Sequence, residues 1–193
     1  MIYLFDKMDS FSDALLERNL RVVSRERAEK AKQFRDVRDQ KLSVLAYLLL
    51  AYGLRKEYGI VEELQFAYGK NGKPYLRNYP AIFFNVSHCR RGVVCVVADA
   101  EVGIDIEEVT DYDQDTIDYV CSESEERQIR RAQNPALEFC KLWTLKESVL
   151  KYTGQGLADN LKTLLPDERV RLTTSVAPDG SYVISLCERR CDR

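Results

Sequence analysis

The spacing of apolar residues along this chain changes from helical to alternating, and it does so twice. Leu15, Leu16, Leu20 and Val23 share one helical face, while Leu42, Leu45, Ala46, Leu48, Leu49 and Tyr52 recur at three and four residues. Ser24 is suited to cap a charged helix from Arg25 to about Phe34, with Glu26 and Glu29 near its positive end. Asp39 is expected to open the long helix, which ends near Gly53 or Gly59. There the period drops to two. Leu64, Phe66 and Tyr68 alternate, Asn71-Gly72 signals a hairpin turn, and 82–86, 92–98 and 102–107 read as strands. The second half repeats the order. The acidic run 111–119 reads as loop or short helix. Asn134-Pro135 starts a helix that carries Phe139 to Tyr152 and stops at Gly154-Gln155-Gly156. Strands 170–176 and 182–186 flank a Pro178-Asp179-Gly180 turn. With a short opening strand over 1–6, the expected class is α+β, with two related halves, 1–99 and 100–193, meeting near residue 100.

Composition narrows the function. The 193 residues suffice for one large domain or two small halves. Lys and Arg number 29 against 31 Asp and Glu, a net charge of -2, which argues against a general nucleic-acid binder. The longest apolar stretch, Leu42 to Leu54, is broken by Ser43 and Gly53 and is shorter than the ~20 residues of a membrane span. The opening MIYLFDKMDSF carries no basic region, apolar core or small-residue cleavage site, so export is not expected. The six cysteines form no CxxC pair and there is one His, so no zinc site is expected, and the thiols read as reduced and cytoplasmic.

Several residues could carry chemistry. In Gly103-Ile104-Asp105-Ile106-Glu107, Asp105 and Glu107 are two apart on a strand and share a face. Such a pair can hold a hard cation, or can be the solvated side of an edge strand. Glu147 and Lys151 are four apart on a helix, placed either as a surface ion pair or as a further cation ligand and a phosphate contact. Three converging carboxylates would repel, by roughly 4 kcal/mol per pair at ~4 Å and an effective dielectric of ~20, unless a cation sat among them or one was protonated. His88, at the end of Asn85-Val86-Ser87-His88, could bind phosphate, carry a proton or hold a turn. Lys73-Pro74 is a hairpin tip, and Arg27 with Lys30 is an anion site or a solvated helix face. Ser87 and Ser148 have no neighbouring base that would mark a nucleophile.

Gly72-Lys73-Pro74, Phe84 to His88, Val102 to Glu107, Trp143 to Lys151 and Gly154-Gln155-Gly156-Leu157, in that order, resemble the 4'-phosphopantetheinyl transferases, specifically the monomeric type that activates peptide-synthetase and other carrier proteins. The resemblance implies two pseudo-symmetric α+β halves with the active site between them. It implies transfer of the phosphopantetheine arm of coenzyme A to a serine of an apo acyl or peptidyl carrier protein, releasing adenosine 3',5'-bisphosphate. It further implies Mg²⁺, with Mn²⁺ a possible substitute, on Asp105, Glu107 and Glu147. Glu147 or a water would take the serine proton, and Lys151 would contact the diphosphate. His88, Arg27 and Lys30 would hold the 3'-phosphate, with Lys73, Pro74 and Ser87 lining the nucleotide pocket. Partners beyond coenzyme A and the carrier, such as nucleic acid or membrane, are not expected, and a monomer is. Two departures stand out. Leu42 occupies a position where the family usually has Arg, with Lys41 adjacent, and the stretch after Leu157 is short. These motivate an alternative, a coenzyme A- or carrier-binding domain without turnover. A metal-dependent hydrolase of a nucleotide diphosphate would use the same acids. The acidic 111–118 segment would oppose docking of an acidic carrier unless Tyr112, Ile117 and Tyr119 make an apolar contact.

Overall fold

The computed structural model describes residues 1–156, 161–164 and 168–190. The chain opens with β1 (Ile2–Phe5), followed by the helices α1 (Asp13–Asn19), α2 (Arg25–Lys32) and α3 (Val37–Tyr58). Four strands follow, β2 (Phe66–Tyr68), β3 (Pro74–Leu76), β4 (Phe83–Cys89) and β5 (Gly92–Ala98). The second half begins with β6 (Val102–Glu108), then α4 (Gln114–Val120), α5 (Glu123–Arg131) and α6 (Pro135–Thr153), and ends with β7 (Val170–Val176) and β8 (Tyr182–Arg189).

The helix starts follow side-chain chemistry. Ser12, Ser24, Asp36, Asp113, Ser122 and Asn134 each accept a backbone N–H of the first turn, and Pro135 sits where a missing N–H costs nothing. The long helix therefore begins at Val37 under the Asp36 cap, three residues before Gln40, rather than at Asp39. It runs through Gly53 to Gly59, because Gly53 lies against Tyr3 and Val97 and serves packing rather than termination. The acidic run is helical from Gln114, and α5, which the sequence reading did not separate, carries a full capping box between Ser122 and Glu125.

The two halves repeat one topology. The first sheet has the order β1-β5-β4 and the second β6-β8-β7, all antiparallel. In each, the opening strand of the half pairs with its last strand, which then pairs with the strand before it. A long helix lies between, α3 in one half and α6 in the other. A separate β2–β3 hairpin belongs to the first half alone.

Alternation explains how β5 can be apolar throughout. Val93, Cys95 and Val97 pack with α3, whereas Val94 and Val96 pack with Ile104, Ile106 and Leu186 of the other sheet. The halves thus share a core between their sheets. Polar links reinforce it, with Arg91 to Glu108 at 2.7 Å, Lys73 to Glu101 at 2.7 Å and the Tyr182 hydroxyl to Asp6 at 2.8 Å. Among the described residues no helix is long and apolar enough to cross a membrane. Cys89, Cys95, Cys121, Cys140 and Cys187 are buried and unpaired with one another; Leu157 and Cys191 lie outside the described residues.

Candidate active site

The two halves meet where edge strand β4 runs beside edge strand β6. Asn85 on β4 accepts the Ile104 N–H at 3.0 Å through its buried side chain, so an amide does the work of a missing strand partner. Two residues further along β4 and one further along β6, Ser87 donates its hydroxyl to Asp105 Oδ1 at 2.7 Å.

Helix α6 covers this seam because Gly103 has no side chain. A Cβ there would stand 2.1 Å from the Ser148 carbonyl oxygen and 2.3 Å from the Tyr152 nitrogen. With α6 so close, residues one turn apart on it, Glu147 and Lys151, reach the face of β6 that carries Asp105 and Glu107. Lys151 Nζ donates to Asp105 Oδ1 at 2.5 Å and to the Ser87 hydroxyl at 2.7 Å. Trp143, one turn before Glu147, donates its indole N–H to Glu107 Oε1 at 3.4 Å.

Electrostatics follow from this crowding. Asp105 is 1% exposed, so the solvated edge-strand reading of this segment does not hold. Burial, then repulsion from Asp105, pushes the Glu107 carboxyl up to about 7, against the opposing pull of the Trp143 N–H and Lys151. Burial and Asp105 raise Glu147 as well. His88 stands at the strand end, where desolvation and then Lys151 lower its pKa, with Asp39 and Asp105 working the other way.

The residues fit a hard cation. Asp105 Oδ2 and Glu147 Oε1 are buried and have no hydrogen-bond partner among the described residues. Orphaned carboxylate oxygens are the donors Mg²⁺ takes, one or two per site. The cluster is not a ready-made cage. Among the described residues no three His, Cys, Asp or Glu side chains stand in metal-holding geometry, and Asp105 is instead held by Lys151.

A cavity of about 310 Å³ opens beside the seam, lined by Lys73, Pro74, Asn85, Glu147, Lys151 and Gly154 among others. The β2–β3 hairpin forms one wall. Asn71 donates to the Gly154 carbonyl at 2.9 Å, and Lys73 Nζ bonds Glu101 at 2.7 Å and the Tyr152 carbonyl at 3.0 Å. Lys73-Pro74 is thus a tie between the halves as well as a hairpin edge. Gly154 ends α6 at φ 66°, a left-handed conformation that favours glycine, and its Cα faces the Lys73 stem.

Ser87, Asp105, Glu107, Glu147 and Lys151 are therefore brought together, with His88 at the margin and Lys73 and Pro74 on the adjoining wall. Ser87 is not isolated, since its partners come 18 and 64 residues later; among the described residues the Ser148 hydroxyl bonds only the Leu145 carbonyl. Arg27 and Lys30 lie on α2. The Arg27 guanidinium lies 5.8 Å from the centroids of Tyr47 and Phe66, and Lys30 is exposed. Among the described residues neither bonds to the seam cluster. Leu42 is a core residue, 4% exposed, and Lys41 is paired with Asp13 at 2.7 Å. Ser43, which in the sequence only interrupts an apolar stretch, has a buried hydroxyl with no partner among the described residues. The sequence reading passed over Lys146, which is 2% exposed and donates to the Val120 carbonyl at 2.7 Å and Glu125 at 2.9 Å, tying α6 to α4 and α5.

The 4'-phosphopantetheinyl transferase superfamily matches residues 101–187, and the 4'-phosphopantetheinyl transferase N-terminal family matches residues 11–101. The chain is 30% identical over 185 residues to the 4'-phosphopantetheinyl transferase psf-1 of Bacillus pumilus, covering 87% of this chain and 79% of that one. It is 31% identical over 161 residues to a 4'-phosphopantetheinyl transferase of Bacillus subtilis, covering 79% and 70%. A crystal structure of Thermotoga maritima holo-[acyl-carrier-protein] synthase matches with a TM-score of 0.38 and 20% identity, over 47% of this chain and 64% of that one. The chain belongs to the 4'-phosphopantetheinyl transferase family.

Proposed function

We propose that the seam transfers the phosphopantetheine arm of coenzyme A to a serine of an apo acyl or peptidyl carrier protein. The carrier's serine oxygen would form a new bond to the phosphorus bearing the pantetheine arm. The bond from that phosphorus to the bridging diphosphate oxygen would break, and adenosine 3',5'-bisphosphate would leave with the electron pair. The observation that carries this reading is the convergence of Asp105, Glu107 and Glu147 with Lys151 at the β4–β6 seam, beside an open cavity.

Asp105, Glu107 and Glu147 are the residues that would hold Mg²⁺, or Mn²⁺ in its place, and the ion's chemistry there is charge neutralisation of a diphosphate. Glu147, with a raised pKa, is suited to accept the serine proton at Oε1. Lys151 is suited to neutralise charge on the leaving group. Lys73, Pro74 and Ser87 are the residues assigned to the nucleotide pocket, a role supported for Lys73 and Pro74 by their place in the cavity wall, and His88, Arg27 and Lys30 are the cations assigned to the 3'-phosphate. The attacking group belongs to the carrier, in keeping with a Ser87 that is tied down by two partners.

The halves are proposed to divide at residues 99 and 100, supported by the repeated strand order and by family matches that meet at residue 101. A monomer is supported by both sides of the seam lying in one chain, and the cytoplasm by five buried thiols with no disulfide among them. The alternative of a binder without turnover gains no support, since the acid cluster is intact and the relatives are named as transferases.

The test is to incubate the protein with coenzyme A, Mg²⁺ and a panel of apo carriers and weigh each carrier. The expected result is a gain of one phosphopantetheine arm on at least one carrier. Unchanged masses across the panel, or coenzyme A cleaved equally fast without any carrier, would refute the reading.

A further inference from the structure

The position a divalent cation would neutralise already holds a positive charge. Asp105 is 1% exposed, and its Oδ1 takes the Lys151 ammonium at 2.5 Å. The same ammonium is anchored by the Ser87 hydroxyl at 2.7 Å, and Ser87 itself donates to that oxygen. The three groups close a ring of short contacts between β4, β6 and α6. Asp105 Oδ2 and Glu147 Oε1 are buried without hydrogen-bond partners among the described residues.

We propose that Lys151 is an internal counter-cation that keeps divalent metal off the Asp105 carboxylate until a diphosphate arrives to draw the ammonium away. This rests on the metal-site reading above and adds an order to it. A lysine ammonium and a divalent ion within one contact shell of a single buried carboxylate repel each other strongly, because little water lies between them. If the ion takes Oδ1, the lysine must leave. If the ion takes the orphaned Oδ2, the lysine stays only under that repulsion. A diphosphate relieves both cases, since it offers the ammonium an anionic partner and adds oxygen donors for the ion. The stem of Lys151 rises from α6 one turn beyond Glu147, at the wall of the 310 Å³ cavity, so it can swing from Asp105 to a ligand there without moving the backbone. Metal and diphosphate are then coupled ligands, each tightening the other by the same factor.

Metal binding, rather than turnover, reports the state of Lys151. Trp143 is the single tryptophan and its indole donates to Glu107, so Mn²⁺ at the seam quenches its emission, and free Mn²⁺ is followed in parallel by electron paramagnetic resonance. Mn²⁺ is titrated into the wild type and Lys151→Met, each with and without coenzyme A and without any carrier. The expected result is that Lys151→Met binds Mn²⁺ at least tenfold more tightly than wild type when coenzyme A is absent, about 1.4 kcal/mol. Coenzyme A should then tighten Mn²⁺ much more for wild type than for the variant. Equal Mn²⁺ affinity in the two proteins without coenzyme A would overturn the counter-cation role and leave the metal site standing. No Mn²⁺ binding by either protein, with or without coenzyme A, would overturn both. Should Lys151→Met fail to fold, Ser87→Ala removes the anchor and spares the carboxylates. Mn²⁺ binding tightened threefold or more would support the role, and unchanged binding would overturn it.

Discussion

The Ser148 carbonyl of α6 passes within 2.1 Å of where a side chain on Gly103 of β6 would begin, and that contact places Glu147 and Lys151 over Asp105. The atoms in the way are backbone, from Ser148 and Tyr152, so no rotamer change can relieve an added methyl. Gly103→Ala should therefore push α6 off the sheet, at a cost of about 3 kcal/mol or more. Denaturant unfolding of the variant checks the stability. Loss of transfer should accompany it even at temperatures where the variant is folded, and an unperturbed, active Gly103→Ala would show that α6 is not seated by this contact.

Glu147→Gln keeps the size and position of the side chain and removes its capacity to accept a proton or a full cation charge. The expected result is a fall in transfer rate of about 10²-fold or more with an unchanged melting temperature. Circular dichroism and intact-mass rates on the same sample separate the two. Activity within a few-fold of wild type would take Glu147 out of the chemistry.

Glu107 makes a pH prediction for protein held in EDTA. Its carboxyl stands near 7 in the fold against 4.5 ordinarily, because burial and then Asp105 oppose the charge. Between those values the native state binds more protons than the unfolded chain. The contribution of Glu107 to stability is therefore full below about 4.5 and is lost as pH rises through about 7. Glu107→Gln, which cannot ionise, should melt higher than wild type at pH 8 and alike at pH 5. With the group partly exposed, the difference at pH 8 is of order 1 kcal/mol. Melting curves of both proteins across that range decide it, and a gap that widens toward low pH would contradict the assignment.

Lys146, next to Glu147 in sequence, points away from the seam and holds α6 to the α4–α5 junction. Truncation to Ala strands the Val120 carbonyl and the Glu125 carboxylate, and should cost about 2–3 kcal/mol. Because the contact is remote from the acids, Lys146→Ala should retain metal and coenzyme A binding wherever it is folded. Thermal melts and calorimetry report the two properties separately.

Much of this was legible in one sequence, and the physical reasons differ by element. Helical and alternating periods reveal α3, α6, β5 and β6, since each buries a continuous face. The Asp105–Glu107 pair announced a shared face, and the Glu147–Lys151 spacing a second one, because both follow from local geometry. What local geometry does not carry is the partner. Ser87 shows no neighbour along the chain, yet it is bonded to residues on two other elements. Lys73 reads as a turn residue, and its bonds to Glu101 and the Tyr152 carbonyl come from the meeting of the halves. Asp39 suits a helix start, but Asp36, three residues earlier, caps the helix. The α5 helix lies in the charged stretch 123–131, where Ile129 is the one buried residue; its signal was the Ser122–Glu125 capping-box spacing rather than a broad apolar face.

Asp105, Glu107 and Glu147 are proposed to share one divalent ion at the seam. Anomalous diffraction at the manganese edge, from crystals grown with Mn²⁺ and coenzyme A, tests it most directly. One strong peak is expected within bonding distance of oxygens from all three carboxylates, with the Lys151 ammonium moved off Asp105 toward the ligand diphosphate. A peak bound elsewhere, or Lys151 still seated on Asp105 with the ligand in place and no ion among the three acids, would contradict it.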